Sequence, residues 1–163
     1  MTSGDDPGTR ALAALEALGE PYELIEVDPE LADTAAFCEH YGYPPETSGN
    51  TIIVVSRRGE LRYCACLVLA TTRLDVNHVV RPLLGVRKAS FASPEQTREL
   101  TRMLIGGVTP FGLPDDLPLY IDERVMDLDE VIVGGGGRST KLSVAPSALL
   151  RLPNAEVVSG LAL

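Results

Sequence analysis

Few residues of this chain have types and spacing that suggest catalysis. There are two histidines, His40 and His78, and with no third one near them neither a metal cluster nor a nucleophilic triad is visible. Both read as ordinary surface or half-buried residues, and no metal or other cofactor is expected. Cys64 and Cys66, two positions apart, share one side of a strand. They lack the further Cys or His that a zinc site needs and read as small buried residues. Gly134 to Gly137 suggests phosphate binding only if a helix opens behind the glycines. Lys141-Leu142-Ser143-Val144 follows instead as a strand, which favours a glycine-rich hairpin. What remains is Gly106-Gly107-Val108-Thr109-Pro110-Phe111-Gly112-Leu113, with three glycines and a proline within seven residues. Glycine allows positive φ and close approach of main chain to a ligand, and Pro110 fixes φ and removes a donor. A surface turn and a ligand-contacting loop are both compatible with that composition.

The elements that position this loop are legible in outline. Thr9 to Leu18 predicts a helix, with Leu12, Leu15 and Leu18 on one face, Thr9 as its cap and Gly19 as its stop. Tyr22 to Val27 predicts a strand, and Asp33 caps a second helix that Gly42 closes. Thr51 to Ser56 and Arg62 to Ala70 predict a hairpin of two central strands, because both are almost continuously apolar. A third helix spans Asp75 to Leu84, and Arg87 to Phe91 is a short strand. Ser93-Pro94-Glu95-Gln96 combines an N-cap serine, proline at the first helical position and a capping-box glutamine. The helix it opens runs to about Leu104 and feeds the glycine–proline loop. Strands at Leu117–Ile121, Glu130–Val133 and Lys141–Val144, a short helix from Ala145 to Leu150 and a strand from Ala155 to Val158 complete the chain.

At 163 residues the chain suits one domain, with residues 1–9 as a flexible tail and 10–163 as the folded unit. The polar, acidic start lacks a signal-peptide pattern, no apolar run is long enough to span a membrane, and an odd cysteine count suits a reduced cytoplasm. A net charge of −9 disfavours broad phosphate-neutralising contact with nucleic acid, and DNA is not an expected partner. Recognition of one nucleotide end by a local pocket remains compatible with it.

Val86 to Glu95, followed by Gly106 to Gly112, resembles the YbaK/EbsC/ProX family, the stand-alone form of a synthetase-associated editing domain. Leu15 to Tyr22, Leu74 to Val76, Leu119 to Asp122 and Val131 to Gly136 match it in order, over nearly all of residues 10–160. Gly106 and Pro110 fall on its Gly-x-x-x-Pro signature. The resemblance implies a mixed α/β fold: a curved, largely antiparallel sheet of six to seven strands, close to a barrel, surrounded by helices. It also implies trans-editing, the hydrolysis of the ester that joins a wrong amino acid to the 3′ end of tRNA. A synthetase pocket rejects a slightly smaller side chain by only about 1–3 kcal/mol, so translation needs a second, hydrolytic sieve. In the family the Gly-x-x-x-Pro loop is thought to position the ester and the attacking water through its main chain, and the ribose 2′-hydroxyl to assist. Oriented N–H groups can stabilise an oxyanion without any side chain.

On this resemblance the site residues are Gly106, Gly107 and Pro110 for the chemistry, with Asn50, Thr51, Val108, Thr109, Gly136, Arg138 and Ser139 around the substrate. The family usually carries lysine, then threonine, at the start of its central strand; here Asn50 precedes Thr51. Asparagine can donate a hydrogen bond but brings no charge. Lys141 and Arg138, beside the glycine hairpin, are candidates to replace that charge. Two readings stand: a deacylase with altered substrate, or a non-catalytic module that binds aminoacyl-tRNA 3′ ends or a related aminoacyl or nucleotide ligand. The acidic surface implies that a synthetase or an elongation factor supplies most of the grip on tRNA.

Overall fold

The computed structural model describes residues 6–163. In chain order its elements are α1 (Pro7–Ala17), β1 (Tyr22–Glu26), α2 (Thr34–Tyr41), β2 (Gly49–Ser56), β3 (Tyr63–Leu69), α3 (Arg81–Leu84) and β4 (Ala89–Phe91). Then come α4 (Pro94–Thr101), β5 (Leu119–Asp122), β6 (Val131–Gly134), β7 (Thr140–Val144), α5 (Pro146–Leu149) and β8 (Ala155–Val158). The two apolar runs pair as the expected antiparallel hairpin, from Gly49 opposite Leu69 to Val55 opposite Tyr63. Because strand side chains alternate, Ile53, Ala65 and Leu67 enter one core, while Val54, Cys64, Cys66 and Val68 enter a second on the opposite face. Both faces are covered, which is why neither strand alternates with polar residues.

This hairpin is the middle of a five-stranded sheet, ordered β4-β2-β3-β5-β8, with a separate three-stranded sheet ordered β1-β7-β6. The mixed α/β class is as expected, and four of the six ladders are antiparallel. Among the described residues, however, eight strands form two sheets joined by one bridge, Ser48 to Ile132, where one curved sheet of six to seven was expected. The β3–β5 and β5–β8 ladders are parallel. The main core combines Leu15 of α1 with Ile53 and Leu67 of the larger sheet, Val133 and Leu142 of the smaller, and Phe111 from the glycine–proline loop. Full burial of such a leucine or phenylalanine stabilises by about 1.5–3 kcal/mol, so the loop is anchored through its own aromatic residue.

Three local expectations are corrected. The first helix is capped by Asp6, whose carboxylate accepts the Thr9 amide at 3.0 Å, with Pro7 at the first helical position. Of the nine residues expected as a tail, 1–5 lie outside the described residues, Asp6 is the cap and Pro7 to Thr9 begin α1. The helix from Asp75 to Leu84 is divided: Val76–Val80 form a wide π turn and only Arg81–Leu84 are α-helical. Pro82 explains this, since it cannot donate the hydrogen bond that would continue an α ladder. Helix α4 keeps its capping box, Ser93 Oγ to Gln96 N and Gln96 Oε1 to Ser93 N, but stops at Thr101 rather than Leu104. There Thr101 Oγ1 donates to the Thr97 carbonyl at 2.7 Å and accepts the Met103 amide at 3.2 Å, and Arg102 turns left-handed at φ 59°. That early stop releases Met103 to Ile105 to lead into the glycine loop.

Candidate active site

The loop after α4 is held by two kinds of contact. Main chain meets main chain along a seam with the β6–β7 hairpin: Leu104 N donates to Gly136 O at 2.9 Å, and Gly136 N to Gly107 O at 2.6 Å. This approach requires glycine at Gly107, where a Cβ would lie 2.0 Å from the Gly137 carbonyl oxygen. Across the seam a Cβ at Gly134 would lie 2.6 Å from the carbonyl oxygens of Gly107 and Val108. Gly106 itself has φ 89°, a left-handed geometry that side chains disfavour. The second contact is Arg138, whose Nε donates to Pro29 O at 3.0 Å and whose Nη1 donates to Ile105 O at 2.7 Å and to Asp33 Oδ1 at 3.2 Å. Its guanidinium fork thus ties the loop to the start of α2.

Between this loop, the start of β2 and the glycine hairpin lies a pocket of about 310 Å³, lined among others by Asn50, Thr51, Gly106, Val108, Gly134 and Lys141. Four of the expected site residues therefore meet: Asn50 and Thr51 from one element, Gly106 and Val108 from another. Asn50 Oδ1 accepts the Thr34 hydroxyl at 2.7 Å, which ties β2 to the first turn of α2. The Thr51 hydroxyl is buried and has no hydrogen-bond partner among the described residues. The amides of Gly106 and Val108 likewise donate no hydrogen bond among the described residues, whereas the Gly107 amide is taken by Leu104 O at 2.8 Å.

The other expected residues lie around the pocket rather than on its wall. Gly107 and Gly136 make the seam, and Arg138 is the clamp. Thr109 is fully buried, its amide directed to the Met103 sulfur at 3.5 Å. Pro110 borders a separate hollow of about 200 Å³ with Leu18 and Leu113. Ser139 accepts the Val27 amide at 2.9 Å through its carbonyl and borders a shallow groove beside α1.

Asp33, not expected in the site, and Lys141, expected only as a candidate to replace the missing charge, also line it. Asp33 stands at the cap position of α2 as expected, but its side chain makes no capping bond and pairs instead with Arg138. Lys141 is 6% exposed and sits with its Nζ 5.0 Å from the Phe37 ring centroid, over a cluster in which Phe37 stacks on Tyr43 at 5.1 Å. Burial lowers its pKa, with Arg138 adding to that effect while Cys38 and Asp33 oppose it. The alternation of β7 accounts for its direction: Leu142 and Val144 enter the main core, so Lys141 faces the other way. His40 is exposed, His78 pairs with Asp75 at 3.1 Å, and no metal-ligating cluster occurs among the described residues. Cys64 and Cys66 are fully buried with sulfurs 3.9 Å apart, and their contact together with burial pushes the Cys66 thiol pKa up.

Residues 28–152 match the aminoacyl-tRNA editing domain, and the chain belongs to that family. Among its relatives is the Bacillus subtilis "uncharacterized protein YwhH", 33% identical over 95 residues, or 58% of this chain and 60% of that one. Another is the Enterococcus faecalis "putative Cys-tRNA(Pro)/Cys-tRNA(Cys) deacylase EbsC", 28% identical over 72 residues, or 44% of each chain. The matched segments thus span less than two thirds of these relatives' lengths. The structure of a "putative trans-editing enzyme for prolyl tRNA synthetase" superposes with a TM-score of 0.79 at 28% identity, covering 98% of both chains. That of "hypothetical protein APE2540" superposes at 0.83 with 23% identity, over 94% of this chain and 99% of that one, a likeness of fold. Among the described residues no helix is long and apolar enough to cross a membrane.

Proposed function

We propose that this protein is a trans-editing deacylase that hydrolyses the ester of mischarged tRNA in the cytoplasm. The observation that carries the reading is the pocket that joins Asn50 and Thr51 to Gly106 and Val108, the main-chain loop of the family signature. In this reading the terminal ribose and its aminoacyl group enter between β2 and the loop. The unengaged amides of Gly106 and Val108 orient the ester carbonyl and stabilise the oxygen that gains charge when water adds to it. Gly107 and Pro110 act by fixing the shape of that loop. The ribose 2′-hydroxyl assists the attacking water, the bond between carbonyl carbon and ribose oxygen breaks, and the released oxygen takes up the water's proton. The products are a free amino acid and a tRNA with a free terminal hydroxyl. The Thr51 and Asn50 side chains hold the substrate from the β2 side, and Gly136, Arg138, Ser139 and Thr109 support the walls. An acidic chain needs help in holding tRNA, which a synthetase or an elongation factor would give.

The replacement of the family lysine by Asn50 favours one second reading, a pocket that binds an aminoacyl end without cleaving it. Incubation with a panel of mischarged tRNAs separates the two. The deacylase reading expects release of at least one amino acid well above buffer. Retained binding of an aminoacyl-adenosine analogue with no release from any tRNA would leave the binding module.

A further inference from the structure

Lys141 is largely buried, at 6% exposure, and lines the pocket with no carboxylate of the described residues paired to its ammonium. Among the described residues it makes no ion pair within 4.0 Å and no side-chain hydrogen bond, while Arg62, Arg124, Arg138, Arg151 and His78 each have an acidic partner. Asp33, the acidic residue of the same pocket, is taken by Arg138. The Phe37 ring face offers the ammonium some compensation. Buried charges are otherwise paired, so a ligand that brings an anion into this pocket would complete the arrangement.

We propose that Lys141 is the anion-recognition residue of the pocket, receiving an oxyanion of the bound ligand on the strand opposite the position where the family carries its lysine. Asn50 and Lys141 line one pocket although they stand on different sheets, β2 in the larger and β7 in the smaller. A cation lost from one wall is therefore supplied from the other. Asn50, hydrogen-bonded to Thr34, has become a neutral tie between β2 and α2. This assignment rests on the reading of the pocket as an aminoacyl-ester site. The oxyanion is either a phosphate of the tRNA acceptor end or a carboxylate on the side chain of the amino acid to be removed. Either would form a charge-assisted hydrogen bond with the ammonium.

The test measures binding of three non-hydrolysable probes to the full chain: 3′-alanylamido-3′-deoxyadenosine, neutral in the sense that it carries no anionic group, the same compound with a 5′-phosphate, and the aspartyl counterpart without phosphate; all three share the α-amino group. Wild type is expected to bind one anionic probe on the order of tenfold to a hundredfold more tightly than the neutral one, the range of a hydrogen bond to a charged group. Preference for the phosphorylated probe assigns the anion to the RNA, and preference for the aspartyl probe assigns it to the amino acid. Lys141→Met should abolish the preference and leave affinity for the neutral probe within about twofold, while Lys141→Arg should keep it. A lysine with a purely structural role would give a different pattern, with Lys141→Met weakening all three probes alike or none. That outcome, or wild type binding neither anionic probe better than the neutral one, overturns the assignment. Deacylation of mischarged tRNA is scored separately, so a wild type that deacylates but shows no anion preference refutes the role of Lys141 and leaves the proposed reaction standing.

Discussion

Replacement of Gly107 by alanine tests whether the seam between loop and hairpin positions the pocket. The added Cβ would stand 2.0 Å from the Gly137 carbonyl oxygen and 2.7 Å from its carbon, both main-chain atoms that cannot rotate away. Ordinary contact begins at 3.4 Å, so the loop and the hairpin must separate by more than an ångström. That movement strains the Gly136 N to Gly107 O hydrogen bond and its neighbour from Leu104 N to Gly136 O. Overpacking of this kind costs about 1–3 kcal/mol, and weakening of the two hydrogen bonds adds about 1–2 kcal/mol. For a chain of this size the total lowers Tm by about 4–20 °C. Gly106 and Val108 move with the loop, and a displacement of that size costs on the order of a hundredfold in kcat/KM. Gly137→Ala is the control from the same hairpin, since a Cβ there would meet nothing nearer than 3.9 Å. Thermal melting followed by circular dichroism, with single-turnover deacylation of a tRNA found to be a substrate, reads both effects. If Gly107→Ala melts and reacts like Gly137→Ala, the seam does not position the site.

Further outcomes follow from the same contacts. Arg138→Met removes three hydrogen bonds; because the pair with Asp33 is partly exposed, the loss is set at about 1–2 kcal/mol, with faster amide exchange over residues 104–112 as the specific sign. Unchanged exchange there would show that Arg138 does not hold the loop. Asn50→Lys is expected to leave deacylation unraised in wild type, where Lys141 already supplies charge, and to restore part of it in a Lys141→Met background; a clear gain in wild type would show that Asn50 is limiting. Lys141 also predicts a pH effect on stability. Burial lowers its folded pKa, so the unfolded chain binds more protons between that lowered value and the ordinary 10.5. Stability contributed by this group therefore rises with pH across that interval, and the Tm advantage of Lys141→Met over wild type should be full at neutral pH and shrink towards pH 10. An advantage constant with pH would mean that the ammonium is not desolvated. The three buried cysteines should resist a thiol reagent such as DTNB until the protein is denatured, and rapid native reaction would contradict their placement.

Much of the fold could be read where a local rule determines a local outcome. The β2–β3 hairpin followed from two apolar runs, the start of α4 from Ser93, Pro94 and Gln96, and the β6–β7 hairpin from glycines followed by a strand rather than a helix. Asp6 was missed because Thr9 also has a capping side chain, and Pro82 was passed over inside an otherwise periodic stretch. The parallel β3–β5–β8 ladders were not legible, since pairing between distant strands leaves no mark on periodicity. The site divided in the same way. Asn50 and the glycine loop were legible through the family pattern, whereas the pairing of Arg138 with Asp33 and the meeting of Lys141 with Asn50 depend on chain crossings. Gly107 carried a legible signal as glycine, but its reason, a carbonyl at 2.0 Å from a Cβ, required the neighbouring hairpin.

The central claim is that the pocket between β2 and the Gly106 loop receives an aminoacyl ester and promotes its hydrolysis. The most direct measurement is release of labelled amino acid from a panel of mischarged tRNAs by wild type and by Gly107→Ala at equal folded concentration. The account predicts release of at least one amino acid by wild type and on the order of a hundredfold slower release by the variant. No release above buffer by wild type for any member of the panel, or equal rates for the two proteins, would contradict it.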